Sequence, residues 1–184
     1  MAEAFGDIHK EIIELSKTGN AKAQFELYKL YAKAMFNICM RMMKNVGEAE
    51  DLLQEAFTEA FSKLSSFRYE SSFGAWLKKI VINKCINSLK RKKIDLVLHD
   101  NLQEFDIESE EEEYISHELE VNKVREAIEK LPDGYRVIFS LYSLEGYDHQ
   151  EIAEILGITE STSKSQYMRA KNRLKEILKK NKGQ

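Results

Sequence analysis

The chain has 184 residues, of which 43% are hydrophobic and 32% charged, with a single proline and eight glycines. So little turn chemistry excludes a sandwich or barrel, which needs a turn about every ten residues, and leaves an all-α fold of one or two small helical domains. The formal net charge of −3 hides a segregation: residues 1–93 carry 16 Lys/Arg against 11 Asp/Glu, residues 94–122 carry 11 Asp/Glu and no Lys or Arg, and residues 123–184 carry 12 against 9. Two basic blocks of net +5 and +3 therefore flank an acidic connector of net −11. In chain order, a short helix is predicted near Ile8–Ser16. "AKAQFELYKLYAKAMFNICMRMMKN" then spaces Phe25, Tyr28, Tyr31/Ala32, Met35/Phe36 and Cys39 by threes and fours, the period of an amphipathic helix. "GEAEDLLQEAFTEAFSKLSSF" repeats the pattern through Leu52/Leu53, Ala56/Phe57, Ala60/Phe61 and Leu64, with Gly47 as the expected stop between the two. A further helix is predicted from Phe73 to Lys92.

The connector "IDLVLHDNLQEFDIESEEEEYISHELE" combines isolated apolar residues with four consecutive glutamates. Its self-repulsion predicts an extended or disordered linker to about Tyr114, with helix resuming near Ser116. By composition it is a solubilising tether. In the last block, Leu131-Pro132-Asp133 ends one helix and opens another, because proline suits a first turn and cannot continue a helix. Val137/Ile138, Leu141 and Leu144 form the next inward stripe, Gly146 ends it, and Asp148 is placed to cap the succeeding helix.

"DHQEIAEILGITESTSKSQYMRAKNRL" has the grammar of a helix-turn-helix: a short helix burying Ile152, Ala153, Ile155 and Leu156, a reversal at Gly157, and a longer helix capped by Thr159. On that second helix Tyr167, Ala170, Leu174 and Ile177/Leu178 are expected inward. Ser163 falls on the same side, its hydroxyl expected to bond back into its own helix. Ser161, Thr162, Lys164, Ser165, Gln166, Arg169 and Lys171 are expected outward. In this motif the helix start enters the major groove, where Gln166 and Arg169 suit purine edges while Ser161, Thr162 and Lys164 suit phosphates. A polar outer face of this kind reads duplex DNA.

Other chemistry is excluded or left without support. Cys39 and Cys85 lie 46 positions apart with no C-x-x-C, and His9, His99, His117 and His149 form no ligand cluster, so no metal site or cofactor is expected. The cysteines read as reduced, partly buried thiols of a cytoplasmic protein. No P-loop, nucleophile elbow or paired-carboxylate arrangement suggests an enzyme, and no apolar run suggests membrane insertion.

Two stretches together resemble a known family. "LPDGYRVIFSLYSLEGYDHQ" with "EIAEILGITESTSKSQYMRAKNRLKEIL" is similar to the fourth conserved region of bacterial sigma factors, and "AEDLLQEAFTEAFSKLSSF" with "SSFGAWLKKIVINKCINSLKRKK" to their second region. Only these two regions, in this order and length, resemble the extracytoplasmic-function (ECF) group of the sigma-70 family. The resemblance implies residues 1–93 as a region 2 helical bundle, 94–122 as linker, and 123–184 as a region 4 helix-turn-helix reading the −35 element. It implies core RNA polymerase as a partner, the helix holding Asp51, Leu52, Gln54, Glu55 and Phe57 docking on the clamp helices of its largest subunit. It assigns "FRYESSFGAWLKKIVINKCINSLKRKK" to the −10 element. The chemistry of that segment suits melted DNA: Phe67, Tyr69, Phe73 and Trp76 for stacking, although Trp76 fits a core role better; Lys78, Lys79, Lys84, Lys90, Arg91, Lys92 and Lys93 for backbone charge; Asn83 and Asn87, one turn apart, for base edges. The loop with Arg68, Tyr69, Ser71 and Ser72 is expected against DNA. An anti-sigma factor clamping both domains is implied as well. The linker would run through the polymerase near the nucleic-acid path, or fold over the basic faces of the free protein. The rival reading is a stand-alone helix-turn-helix regulator with an N-terminal dimerisation or effector domain. It predicts tight binding of a two-fold symmetric duplex site by the free protein.

Overall fold

The computed structural model describes residues 9–92 and 117–181, all of whose regular elements are helical. The chain divides into two compact units at Lys92/Lys93. The expected disorder of the connector lies outside the described residues.

In the first unit, α1 (Lys10–Lys17), α2 (Ala21–Met43), α3 (Val46–Ser62) and α4 (Phe73–Arg91) form a bundle, with a 3₁₀ turn at Leu64–Ser66. Asparagines start two of these helices. The Asn20 side chain accepts from the Ala23 amide at 3.1 Å and that of Asn45 from the Glu48 amide at 3.0 Å. The stop between α2 and α3 is not the expected Gly47, which lies inside α3. Lys44 turns the chain in the left-handed conformation at φ 58°, and Asn45 begins the next helix at once. The core joins Leu27, Ile38, Cys39 and Met42 of α2, Leu52, Leu53, Ala56 and Phe57 of α3, and Phe73, Leu77, Val81, Ile82, Cys85, Ile86 and Leu89 of α4. Ala49, Ala56 and Ala60 are wholly buried, small side chains that let neighbouring helices approach α3 closely. Phe25, expected in the stripe, is 58% exposed. The buried row of α2 runs instead through Ala23 and Leu27, two positions to either side of it. Cys39 and Cys85 are buried free thiols, and the hydrogen bond with Cys39 together with burial pushes the Cys85 thiol up.

In the second unit, α5 (His117–Glu129) is followed by α6 (Asp133–Phe139), which widens into a π turn at Ser140–Leu144, then by α7 (His149–Leu156) and α8 (Glu160–Asn181). Ala127, Ile128, Leu131, Tyr135, Ala170 and Leu174 form a buried cluster, with Val124, Phe139, Ile177 and Leu178 packed against it. Arg136 is almost wholly buried. Its guanidinium bonds Asp133 at 2.6 Å and the Leu131 carbonyl at 3.1 Å, tying together the break around Pro132. Leu144, expected inward, is exposed. The π turn carries more residues per turn than the 3.6 on which that expectation rests, so Leu144 is rotated off the stripe.

Asp148 and Glu151 make a reciprocal capping box at the start of α7, and Gly157 ends that helix in the left-handed conformation at φ 72°. No atom lies where a β-carbon on Gly157 would sit, so a substitution there meets only backbone strain. Gly157→Ala is therefore expected to lower the unfolding free energy by about 1–2 kcal/mol, measured in a urea titration.

Candidate nucleic-acid interface

α7 and α8 pack as the two helices of a helix-turn-helix, and the start of α8 is the candidate reading surface. The Thr162 amide donates to Thr159 Oγ1 at 3.1 Å, so Thr159 caps the helix. Ser161, Lys164, Ser165 and Lys171 are exposed, while Thr162 and Arg169 are half-buried. Lys164 pairs with Glu160 at 2.7 Å and the Ser165 hydroxyl donates to the Ser161 carbonyl at 3.0 Å, contacts that a phosphate could displace. Gln166 corrects the expectation. It is only 4% exposed and faces the protein rather than the solvent. Three residues after Ser163 and four before Ala170, it shares their buried face, and polarity disguised this in the sequence. Met168, absent from the expected set, is exposed among the outward residues.

Ser163 is buried as expected, but its hydroxyl does not bond within its own helix. It lies 3.0 Å from His149 Nδ1, across the motif on α7. The His149 ring stacks on Tyr142 with centroids 4.4 Å apart and meets Tyr167 edge-on at 5.7 Å. This polar link joins α7 to α8, alongside the buried Ile152, Ala153 and Leu156 of α7. Nothing local in the sequence couples two residues 14 positions apart.

In the first unit a groove is lined by Glu59, Lys63, Ser66, Trp76, Ile80, Asn83, Lys84 and Asn87. Asn83 and Asn87 are exposed and one turn apart on α4, with Lys79, Lys90 and Arg91 also exposed along that helix. Trp76 is half-buried, its ring 5.4 Å from Phe67 and 5.7 Å from Phe73, so it both completes the core and walls the groove. Phe73 is fully buried and structural. Lys84 is held by Glu59 at 3.0 Å and Glu55 at 3.5 Å, and these carboxylates raise its pKa. Lys63 and Lys84 in turn hold Glu59 below the usual carboxylate range. Lys92 pairs with Glu48. Lys63 and Ser66 escaped the sequence reading because they join the groove from another element.

The loop leading into α4 exposes Arg68, Ser71 and Ser72. Ser72 also caps α4, its hydroxyl oxygen accepting from the Ala75 amide at 3.2 Å. Tyr69 is half-buried, in the left-handed region at φ 61°, its hydroxyl donating to Glu14 Oε1 at 2.6 Å.

On α3, Asp51, Gln54, Glu55 and Thr58 are exposed and line a second groove with Glu59, Ser62 and Lys84. This polar strip, in which Asp51 and Glu55 are exposed carboxylates, is able to receive cationic residues of a partner helix. Leu52 and Phe57 correct the expectation of direct contact. They are 4% and 3% exposed, and Phe57 packs edge-on against Tyr28 at 4.8 Å. They point into the bundle because they lie on the apolar side of the same helix, so they can support a docking face without forming it.

Residues 27–94 match Sigma-70 region 2, and residues 122–174 match Sigma-70, region 4. The ECF RNA polymerase sigma factor SigW of Bacillus subtilis is 32% identical over 180 residues, covering 92% of this chain and 96% of that protein. The RNA polymerase sigma-H factor of Pseudomonas aeruginosa is 28% identical and covers 92% and 93%. Among solved structures, the sigma factor RpoE of Bartonella quintana, in complex with the anti-sigma factor NepR, superposes with a TM-score of 0.55 and 26% identity over 84% of this chain and 95% of that one. CnrH, in complex with the cytosolic domain of CnrY, shares the fold at a TM-score of 0.55 and 22% identity over 93% and 97%. With both regions present in order on separate helical units, the chain belongs to the ECF group of sigma-70 family RNA polymerase sigma factors.

Proposed function

We propose that this sigma factor joins core RNA polymerase and directs it to promoters by gripping two DNA elements with two separate units. The exposed start of α8, with Ser161, Thr162, Lys164, Ser165, Arg169 and Lys171, reads −35 duplex. The groove and loop of the first unit, with Arg68, Tyr69, Ser71, Ser72, Trp76, Lys79, Asn83, Lys84, Asn87, Lys90 and Arg91, take the −10 DNA. Asp51, Gln54 and Glu55 dock on the polymerase clamp helices, with Leu52 and Phe57 holding their helix in place. The observation that carries this reading is the coexistence of regions 2 and 4 on one chain. A stand-alone regulator needs only the second of these, and is not favoured.

The protein performs no bond chemistry in this scheme. Melted bases captured in the first unit bias the polymerase toward the open promoter, because the sigma factor binds that state more tightly. It works in the cytoplasm, with the polymerase. The Bartonella quintana relative was captured with an anti-sigma factor, and a partner of that kind is the expected regulator here, covering both units until released. Run-off transcription by purified core polymerase on genomic fragments, including the one upstream of this protein's own gene, tests the reading. Discrete transcripts are expected only when the protein is added. Failure to program initiation, with a palindromic footprint by the free protein, would establish the rival.

A further inference from the structure

α1 lies outside the residues that match region 2, yet it makes specific contacts with the loop assigned to −10 DNA. Tyr69 adopts the left-handed conformation at φ 61°, which costs a bulky L-residue free energy and persists only where its surroundings impose it. Part of that constraint comes from α1. Glu14 Oε1 accepts the Tyr69 hydroxyl at 2.6 Å, and the Lys17 ammonium donates to the Phe67 carbonyl at 3.0 Å while lying 4.7 Å from the Tyr69 ring centroid. Lys17 also pairs with Glu14 at 2.9 Å, closing the network. Hydrogen bonds from Tyr69 and Lys17 hold the Glu14 carboxyl below its usual range. Phe67 meets Tyr69 at 4.7 Å and Trp76 at 5.4 Å, so a row of rings connects the braced loop to the wall of the groove.

We propose that Glu14 and Lys17 are positioning residues for −10 recognition, a role that rests on the assignment of this loop to −10 DNA. They fix Tyr69 and the Phe67 carbonyl so that Arg68, Ser71 and Ser72 are presented in one shape before DNA arrives. A single strand loses much freedom on binding, and a loop ordered in advance spares the complex a second such loss. Tyr69 therefore serves the site through its backbone and hydroxyl more than by stacking on a base.

The test uses reconstituted holoenzyme and a fluorescent single-stranded oligonucleotide carrying the non-template −10 region of a promoter active in the run-off assay. Glu14→Ala and Tyr69→Phe are each expected to weaken oligonucleotide binding by about three- to tenfold, and the double variant by no more than the worse single one. Glu14→Gln, which keeps an acceptor at the same reach, should recover most of the Glu14→Ala loss. Affinity for core polymerase should stay at the wild-type level and the melting temperature should fall by no more than about 5 °C, whereas a merely structural role for α1 would lower both. Additive losses, unchanged oligonucleotide binding, or a parallel fall in core affinity would each overturn the brace while the −10 assignment stands. If the wild-type holoenzyme does not bind the oligonucleotide, that assignment fails and the brace with it.

Discussion

Replacing Asp51 and Glu55 together with lysine is expected to weaken binding to core RNA polymerase by about 100-fold or more, because like charges then face each other across the contact. Both residues are exposed on α3, so the bundle should stay folded. Glu55 is also one of two carboxylates holding Lys84, but Glu59 remains at 3.0 Å to keep that lysine in place. Leu52→Ala and Phe57→Ala make the contrast, since both side chains are buried in the bundle. Each should lower stability by about 2–5 kcal/mol through cavity formation, and polymerase binding only through the unfolded fraction. Fluorescence anisotropy with labelled protein and core enzyme, paired with urea denaturation, separates the two mechanisms. Loss of polymerase binding by a well-folded Leu52→Ala variant, with the lysine variant unaffected, would relocate the docking face.

Asn83→Ala combined with Asn87→Ala should reduce promoter opening by about 100-fold, since a good side-chain to base-edge pair is worth roughly 1–3 kcal/mol. Both side chains are exposed, so stability should change by no more than about 0.5 kcal/mol. Permanganate reactivity of unpaired thymines reports opening, and a gel shift on −35 duplex with holoenzyme reports the other unit, which should be unaffected. Retained opening would remove these asparagines from the −10 contact.

The sequence disclosed those features that depend on local chemistry. Asp148 announces a helix cap, Gly157 a reversal, and Pro132 the break between α5 and α6. The two helical regions and their order were legible from periodicity and motif. Local rules fail where tertiary packing overrides them. Gln166 is polar yet lies on the buried face of α8, and Leu144 is apolar yet exposed because the π turn changes the period. Lys44, a residue with no special preference for positive φ, ends α2 where Gly47 looked the better candidate. Contacts between residues distant in sequence left no signal at all. The bond from Tyr69 to Glu14 spans 55 positions, and that between Ser163 and His149 joins two helices of the motif.

That two units of one chain hold two elements of one promoter, with the polymerase fixing the distance between them, is tested most directly by changing the DNA. A promoter that gives run-off transcripts should be lengthened by about five base pairs between its −35 and −10 elements, which rotates one against the other by half a helical turn. Transcription dependent on this protein should collapse, and insertion of a full turn should not restore it, while −35 binding persists. Undiminished transcription from either lengthened promoter would contradict the account.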